Sequence, residues 1–427
     1  MRKTSQSKEN PVYKTKDVTF VNSRDIPFQR WYPYIEGYSP DFVKTIISEN
    51  NINANLIYEP FAGTGTTIFA ADSLGIDSIY SEVNPLLRFL IKTKLDVLGL
   101  SKEDRNVIGL SLIERKASIF GDIKEYRPSR KLDKAYKDVF GRSVYFPNET
   151  YDIILRLRSF IDDLYKSADN INNRLIADLL TIAVFSCLLP VSFLKKQGDV
   201  RFKTDKEKAA EMRSLQDVLP LKISQISEDI INSNYVLKNN HNLAVENAKT
   251  IGNYESDRKI SAVITSPPYL NGTNYFRNTK LELWFIYELK TKDNLRIFRD
   301  EVLTSAICDV KHEYREVFNP VNSPLLTKVL NELETAAYDR RIPLMVKCYF
   351  MEMYQLFAGL RKQLDANAKI FIDLGDSIFS GIHIQTDIIL IQVLEGIGYV
   401  FDNREILRER RSRNGSLLSQ VLLSFHV

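Results

Sequence analysis

The sequence predicts an α/β fold: an open, mainly parallel sheet interrupted by a large, mainly helical insertion. Three observations carry this expectation. A strand, a glycine-rich turn, a helix and a second strand follow one another between residues 56 and 85. Three further apolar runs, "NLAVENAKTI", "ISAVITSPPY" and "AKIFIDLGDS", each end in a polar tip. The residues between these two groups read as helices with charged faces.

Leu56-Ile57-Tyr58 is short and apolar throughout, as a strand buried on both faces must be. Phe61 to Gly65 turn the chain, "TTIFAADSL" has helical spacing, and Gly75 is a natural C-cap. "DSIYSEV" is the second strand, stopped by Asn84-Pro85. A strand, helix and strand joined by short turns make one right-handed βαβ unit, hence part of a parallel sheet. The longest apolar stretch, Leu179 to Leu194, is too short to span a bilayer and contains Pro190, so a buried helix is expected. The expected division is a basic arm over 1–16 and a catalytic domain in three pieces, 17–95, 241–290 and 344–427. A helical insertion over 96–240 and a second insertion over 291–343 separate the pieces.

Composition narrows the class. With 44% hydrophobic and 26% charged residues in 427, the chain buries a sizeable core and is not disordered as a whole. A net charge of +4 is compatible with a polyanionic partner without requiring one. Cys187, Cys308 and Cys348 are scattered and no zinc spacing occurs, which predicts a reducing, cytoplasmic setting and no metal. "MRKTSQSKENPVYKTK" has a positive start but no apolar run, so no signal peptide is expected there.

Gly63 and Gly65 in "EPFAGTGTT" allow the backbone to approach a ligand at the start of a helix. Ile68 stands where the third glycine of a dinucleotide fingerprint would fall, which argues for a smaller adenosyl cofactor. No Gly-Lys-Ser/Thr follows, so a P-loop is excluded. Glu82, at the tip of the next strand, is placed to accept hydrogen bonds from ribose hydroxyls. The strand "AVIT" stops in Ser266-Pro267-Pro268-Tyr269. Two successive prolines have no N–H to donate, so such a tip offers a hydroxyl, free carbonyl acceptors and an aromatic face. It suits an amino group on a flat base.

Together these segments resemble the S-adenosylmethionine-dependent amino-methylating DNA methyltransferases. The Thr-Ser-Pro-Pro-Tyr form is similar to the cytosine-N4 group of bacterial restriction-modification systems. The resemblance covers residues 17–95 and 240–427 and implies a Rossmann-like S-adenosylmethionine methyltransferase sheet. The order of its motifs, cofactor half first, is similar to the α arrangement. It also implies that Glu59, Pro60, Phe61, Ala62, Gly63, Thr64 and Gly65 wrap the cofactor, with Glu82 and Val83 at its ribose. "RWYPYIEGYSPDFV", which contains Tyr34, resembles the cofactor-supporting segment. Asn247, followed by Ala248, stands where the family has an aspartate against the adenine ring; Asp122 is the rival.

The implied chemistry is methyl transfer to the N4 of a cytosine flipped out of double-stranded DNA. Ser266 and the Pro267 carbonyl would take the two amino hydrogens, while Pro268 stiffens the tip and Tyr269 stacks on the base. Expected DNA contacts are Lys195, Lys196, Arg201 and Lys203 after the apolar helix, Tyr275, Arg277 and Lys280 after the tip, and Arg408, Arg410, Arg411 and Arg413, with Arg404, near the end. Asp376 and Ser377 are expected to line the pocket. Base reading is assigned to 96–240, with 291–343 as second candidate, and a cognate restriction endonuclease is an expected partner. The same acceptors would serve adenine N6 or an RNA base. A non-catalytic nucleic-acid-binding protein on this fold is the remaining alternative.

Overall fold

The structure, a computed structural model, describes residues 13, 16–271, 274–310, 322–411 and 415–427. Most of the basic arm therefore lies outside the described residues, as does Arg413. The strands in chain order are β1 (Leu56–Glu59), β2 (Asp77–Ser81), β3 (Leu194–Gln197), β4 (Asp199–Phe202), β5 (His241–Val245) and β6 (Ile260–Thr265). They continue as β7 (Leu364–Gly375), β8 (Ser377–Phe379), β9 (Ile382–Ile384), β10 (Val400–Arg411) and β11 (Leu417–His426).

Seven strands form one mixed sheet in the order β10-β11-β7-β6-β1-β2-β5. β5, β2, β1, β6 and β7 pair in parallel, while β11 runs antiparallel to both β7 and β10. This architecture fits an α/β methyltransferase fold. The central strands are apolar because both faces are covered. Against one face lie Met345, Tyr349, Phe350 and Phe357 of the helix Arg341–Arg361. Against the other lie Phe42, Val43 and Ile46 of the helix Pro40–Glu49.

Between β2 and β5 the chain passes through the helices Pro85–Leu98, Lys102–Asp122, Arg130–Phe140, Asn148–Ser167, Ile171–Leu188 and Leu215–Asn232. They share a core with Trp31 and Trp284. Every residue from Leu175 to Leu188 is buried, so the apolar helix is a core helix of this layer. The charged stretch after it is not an open loop. Gly198, at φ 75°, lets β3 turn into the antiparallel β4. The Asn278 side chain then accepts from the Val200 N–H at 3.0 Å.

One buried carboxylate sets the path of the chain toward the site. Asp229 accepts from the Phe28 N–H at 2.9 Å and the Trp31 Nε1 at 3.0 Å, and pairs with Arg30. Pinned there, the segment after Trp31 leads Tyr34 to Tyr38 over the carboxyl ends of the parallel strands. Stripping a buried charge of its partners costs about 3–5 kcal/mol, so this anchor dominates the local geometry.

Candidate active site

A cavity of about 400 Å³ opens at the carboxyl ends of β1, β2, β5, β6 and β7. That is where open α/β sheets place ligands. Its walls come from distant parts of the sequence: Tyr34 to Tyr38, Pro60 to Thr64, Glu82 to Asn84, Glu246 to Lys249, Ser266 to Tyr269 and Asn274 to Phe276. The turn after β1 and the tip after β6 thus face one space.

The turn is held from three sides. Gly63 has φ 56°, and a Cβ placed on it would stand 3.2 Å from the Tyr34 ring. Its N–H donates to Glu82 Oε2 at 2.8 Å, and the Asn84 N–H donates to Glu82 Oε1 at 2.8 Å. Burial pushes the Glu82 carboxyl up to about 7 despite these two backbone donors. Beneath the turn, Lys94 is fully buried and its Nζ donates to the Thr64 carbonyl at 3.0 Å. Burial brings that amine down to about 7. Sequence reasoning missed Lys94; the one cation on the buried face of an apolar helix was its signal.

Glu59 and Gly65 stand behind the wall, not in it. Glu59 accepts from Thr67 Oγ1 at 2.7 Å, Thr265 Oγ1 at 2.5 Å, the Phe61 N–H at 3.1 Å and the Tyr38 hydroxyl. Burial raises its pKa and these donors oppose the shift. With four donors its oxygens are committed to the protein, so Glu59 ties the turn to the tip. Gly65 has φ 90° and is packed by Phe69 and Ile91, so its work is the turn into the following helix.

The tip is built around a carboxylate that sequence reasoning passed over. Asp373, near the end of β7, is buried beside Ser266. Gln420 Nε2 donates to its two oxygens at 2.9 and 3.0 Å, and the Tyr269 hydroxyl donates to Oδ1 at 3.1 Å. The Ser266 hydroxyl lies beside both Asp373 and Tyr269, near enough to favour the charged form of each. Burial raises Asp373 to about 7, opposed by the donors from Gln420, Tyr269 and Ser266. An acid interrupting "KIFIDLG", the apolar run of a central strand, was the readable signal. Asp376 instead pairs with His383 at 3.1 Å, and the Ser377 hydroxyl is spent on the Leu270 carbonyl. Neither lines the cavity.

Asn247 and Ala248 line the opposite end. The Asn247 side chain caps the following turn through the Lys249 N–H and reaches the Glu301 carbonyl at 3.0 Å. Asp122 accepts from Ser118 on its own helix and is not part of the wall. Glu301, Val302, Leu303, Ser305 and Asp309, from the segment read as a second insertion, complete the cavity. Burial raises Asp309 to about 6.

The basic residues separate into groups. Lys203 is buried and donates to the Ser192 carbonyl at 2.8 Å. Lys195 and Arg201 share Glu207, at 3.3 and 2.7 Å, and Lys196 meets Glu36 at 2.6 Å. These four are occupied within the protein. Lys280 Nζ lies 4.1 Å from the Tyr145 ring, Arg277 is exposed near Asp199, and Tyr275 lines the cavity. Arg404 pairs with Asp387 and Arg411 donates to the Gly415 carbonyl. Arg408 and Arg410 line the cavity.

Comparison with known proteins finds a chain-length likeness. The chain is similar to Type II methyltransferase M.BsoBI of Geobacillus stearothermophilus, 23% identical over 459 aligned positions that cover 96% of this chain and 86% of the relative. It is similar to Type II methyltransferase M.AvaI of Nostoc sp., 26% identical over 90% of this chain and 81% of the relative. Type II methyltransferase M.MvaI of Kocuria varians is 22% identical over 79% of this chain and 74% of its own length. No family model matches the chain.

Proposed function

We propose that this chain is the DNA methyltransferase of a Type II restriction-modification system and that it methylates the N4 amino group of cytosine. The observation that carries the reading is the Ser266–Asp373–Tyr269 cluster facing the same cavity as the Gly63 turn and Glu82. The likeness to three Type II methyltransferases supports the same reaction class.

The residues present fit S-adenosylmethionine. Glu36 lines the cavity with a buried carboxylate oxygen, Oε2, that has no hydrogen-bond partner among the described residues, which suits an ammonium group. Glu82, with one oxygen on Gly63 and the other on Asn84, keeps lone pairs free for ribose hydroxyls. Tyr34, Pro60 to Thr64, Val83, Asn247 and Ala248 complete the walls at this end. When bound, the cofactor supplies an electrophilic methyl group on a sulfonium.

The tip does the rest. A cytosine amino nitrogen is a weak nucleophile because its lone pair is delocalised into the ring. Ser266 Oγ and the Pro267 carbonyl accept its two hydrogens and draw the nitrogen toward tetrahedral geometry. Alignment of this kind supplies roughly 7–11 kcal/mol of a displacement barrier. Once the nitrogen carries the methyl group, its surplus proton passes through the Ser266 hydroxyl to Asp373. A carboxylate of pKa about 7 holds that proton and returns it to water. Tyr269 offers its ring to the flipped base, and stacking worth roughly 1–3 kcal/mol offsets part of the flipping cost. Double-stranded DNA is the substrate, a cognate endonuclease the functional partner, and 96–240 the segment assigned to base reading.

The test is mass spectrometry of nucleosides from DNA incubated with the protein and labelled S-adenosylmethionine. Labelled N4-methylcytosine is the expected product. N6-methyladenine would move the activity to the other amine, and no label in any base would remove it.

A further inference from the structure

We propose that Arg408 reads the ring edge of the flipped cytosine, donating from its guanidinium to N3 and O2. The inference rests on the base-methylation reading and adds the residue that recognises the base.

Its support is placement and lack of a partner. β10 and β11 pair antiparallel with Arg408 opposite Gln420, and a bulge falls between Ile406 and Arg408. A bulge redirects the side chain after it. Arg408 therefore lines the cavity, and so does Gln420, whose amide nitrogen is committed to Asp373 at 2.9 and 3.0 Å. Arg404 is paired with Asp387 and Arg411 with a backbone carbonyl. The half-buried Arg408 guanidinium has no hydrogen bond or ion pair among the described residues. It lies near enough to Asp373 to favour the ionised carboxylate.

A guanidinium has five donors in a planar fork and no acceptor, so it seeks two neighbouring acceptors in one plane. With the amino group held by Ser266 and Pro267, cytosine presents N3 and then O2 along the same edge. Adenine held by its amino group presents N1 and then a C–H, and one donor is left unmatched. Arg408 thus supplies what the tip lacks, since acceptors for an amino group do not distinguish the two bases. Arg410, on the same strand but exposed, is suited to the backbone phosphate beside the flipped nucleotide.

The experiment uses the whole chain and two duplexes that carry the site mapped from wild-type methylation. One holds cytosine at the target and the other an abasic position, which keeps the phosphates but removes the ring. Arg408→Met should weaken binding of the cytosine duplex about 10- to 100-fold. It should leave binding of the abasic duplex, and the slope of affinity against salt, unchanged. Arg410→Ala should weaken both duplexes and reduce the salt slope by about one. Arg408→Lys keeps the charge without the fork and should reproduce the loss on cytosine, which covers the case of a misfolded methionine variant. Equal weakening of both duplexes by Arg408→Met, with a reduced slope, would make Arg408 a phosphate clamp and overturn the proposal. No change on either duplex would overturn it too. If the wild-type chain methylates no DNA base, the functional reading falls with it; if it does and Arg408 is silent, only this inference falls.

Discussion

Thr265 donates its hydroxyl hydrogen to Glu59 Oε1 at 2.5 Å. The last residue before the Ser-Pro-Pro-Tyr tip is thereby bonded to the last residue of the strand that precedes the glycine turn. Both residues are buried, and Glu59 also holds Thr67 and Tyr38. The two ends of the cavity are therefore positioned by one carboxylate.

Thr265→Val keeps the shape and removes that donor. An oxygen of a buried carboxylate loses a partner, which costs about 1–3 kcal/mol of stability. Cofactor affinity and the methyl-transfer rate should fall together, because the same bond positions both. Calorimetry for the cofactor and single-turnover rates measure the two effects. A fall in one alone would mean the ends are set independently.

In the proposed mechanism Asp373 gives the reaction its acid limb. The methyl-transfer rate should rise with pH through about 7, as the carboxylate ionises and becomes able to take the surplus proton. Asp373→Asn should lower the rate about 10²-fold or more and abolish that limb. Stability runs the other way. The folded value lies above the roughly 4 of a free aspartate, so the native protein holds a proton that the unfolded chain does not. That contribution is complete below about pH 4 and is lost as pH rises through about 7. Glu82, also near 7, should instead move cofactor affinity, and a rate limb that survives in Asp373→Asn would transfer the role elsewhere.

Gly63→Val tests the turn. Its φ of 56° disfavours a branched side chain, and the new Cβ would meet the Tyr34 ring at 3.2 Å. Cofactor affinity should fall by more than about tenfold while the protein keeps its fold, because Tyr34 must leave the wall. Circular dichroism with calorimetry checks both parts. Affinity at the wild-type value would take the turn out of the site.

Local pattern made much of this legible. The glycine turn and the Ser-Pro-Pro-Tyr tip are each a contiguous motif, and strand ends bring them together with Glu82 by topology. What could not be read were pairings made at a distance. Lys203 looks solvent-facing in a string of charges, yet the β3–β4 turn carries its amine to the Ser192 carbonyl. Lys195 and Arg201 are neutralised by Glu207 six to twelve residues on, a distance that only a hairpin and a helix start can close. From sequence Asp376, and not Asp373, is the acid expected at the pocket. Which of them faces the tip depends on β7 pairing with β11, where Gln420 stands opposite Gly375, two residues along β7 from Asp373. The wall contributed by Glu301 to Asp309 has no sequence signature, because it is held at the cavity by distant partners, Asn247 on the Glu301 carbonyl and Lys249 on the Val302 carbonyl.

Ser266 and Tyr269 should fail differently when altered. Ser266→Ala removes the hydroxyl proposed to accept an amino hydrogen and pass the proton to Asp373, so transfer should slow about 10²-fold with cofactor affinity unchanged. Base capture should persist, since the ring of Tyr269 is still present. Tyr269→Ala removes that ring, which also packs against Gly375, and should impair capture and transfer together. Tyr269→Phe separates the two functions of this residue. The ring remains and the base is captured, but Asp373 loses a donor at 3.1 Å. A hydrogen bond donated to a carboxylate favours its charged form, so losing one should move the acid limb of the rate upward from about 7. A fluorescent base analogue at the target reports capture, and single-turnover rates across pH report transfer. An unchanged limb in Tyr269→Phe would separate the phenol from the proton path. Full activity in Tyr269→Ala would reduce the whole tip to a structural turn.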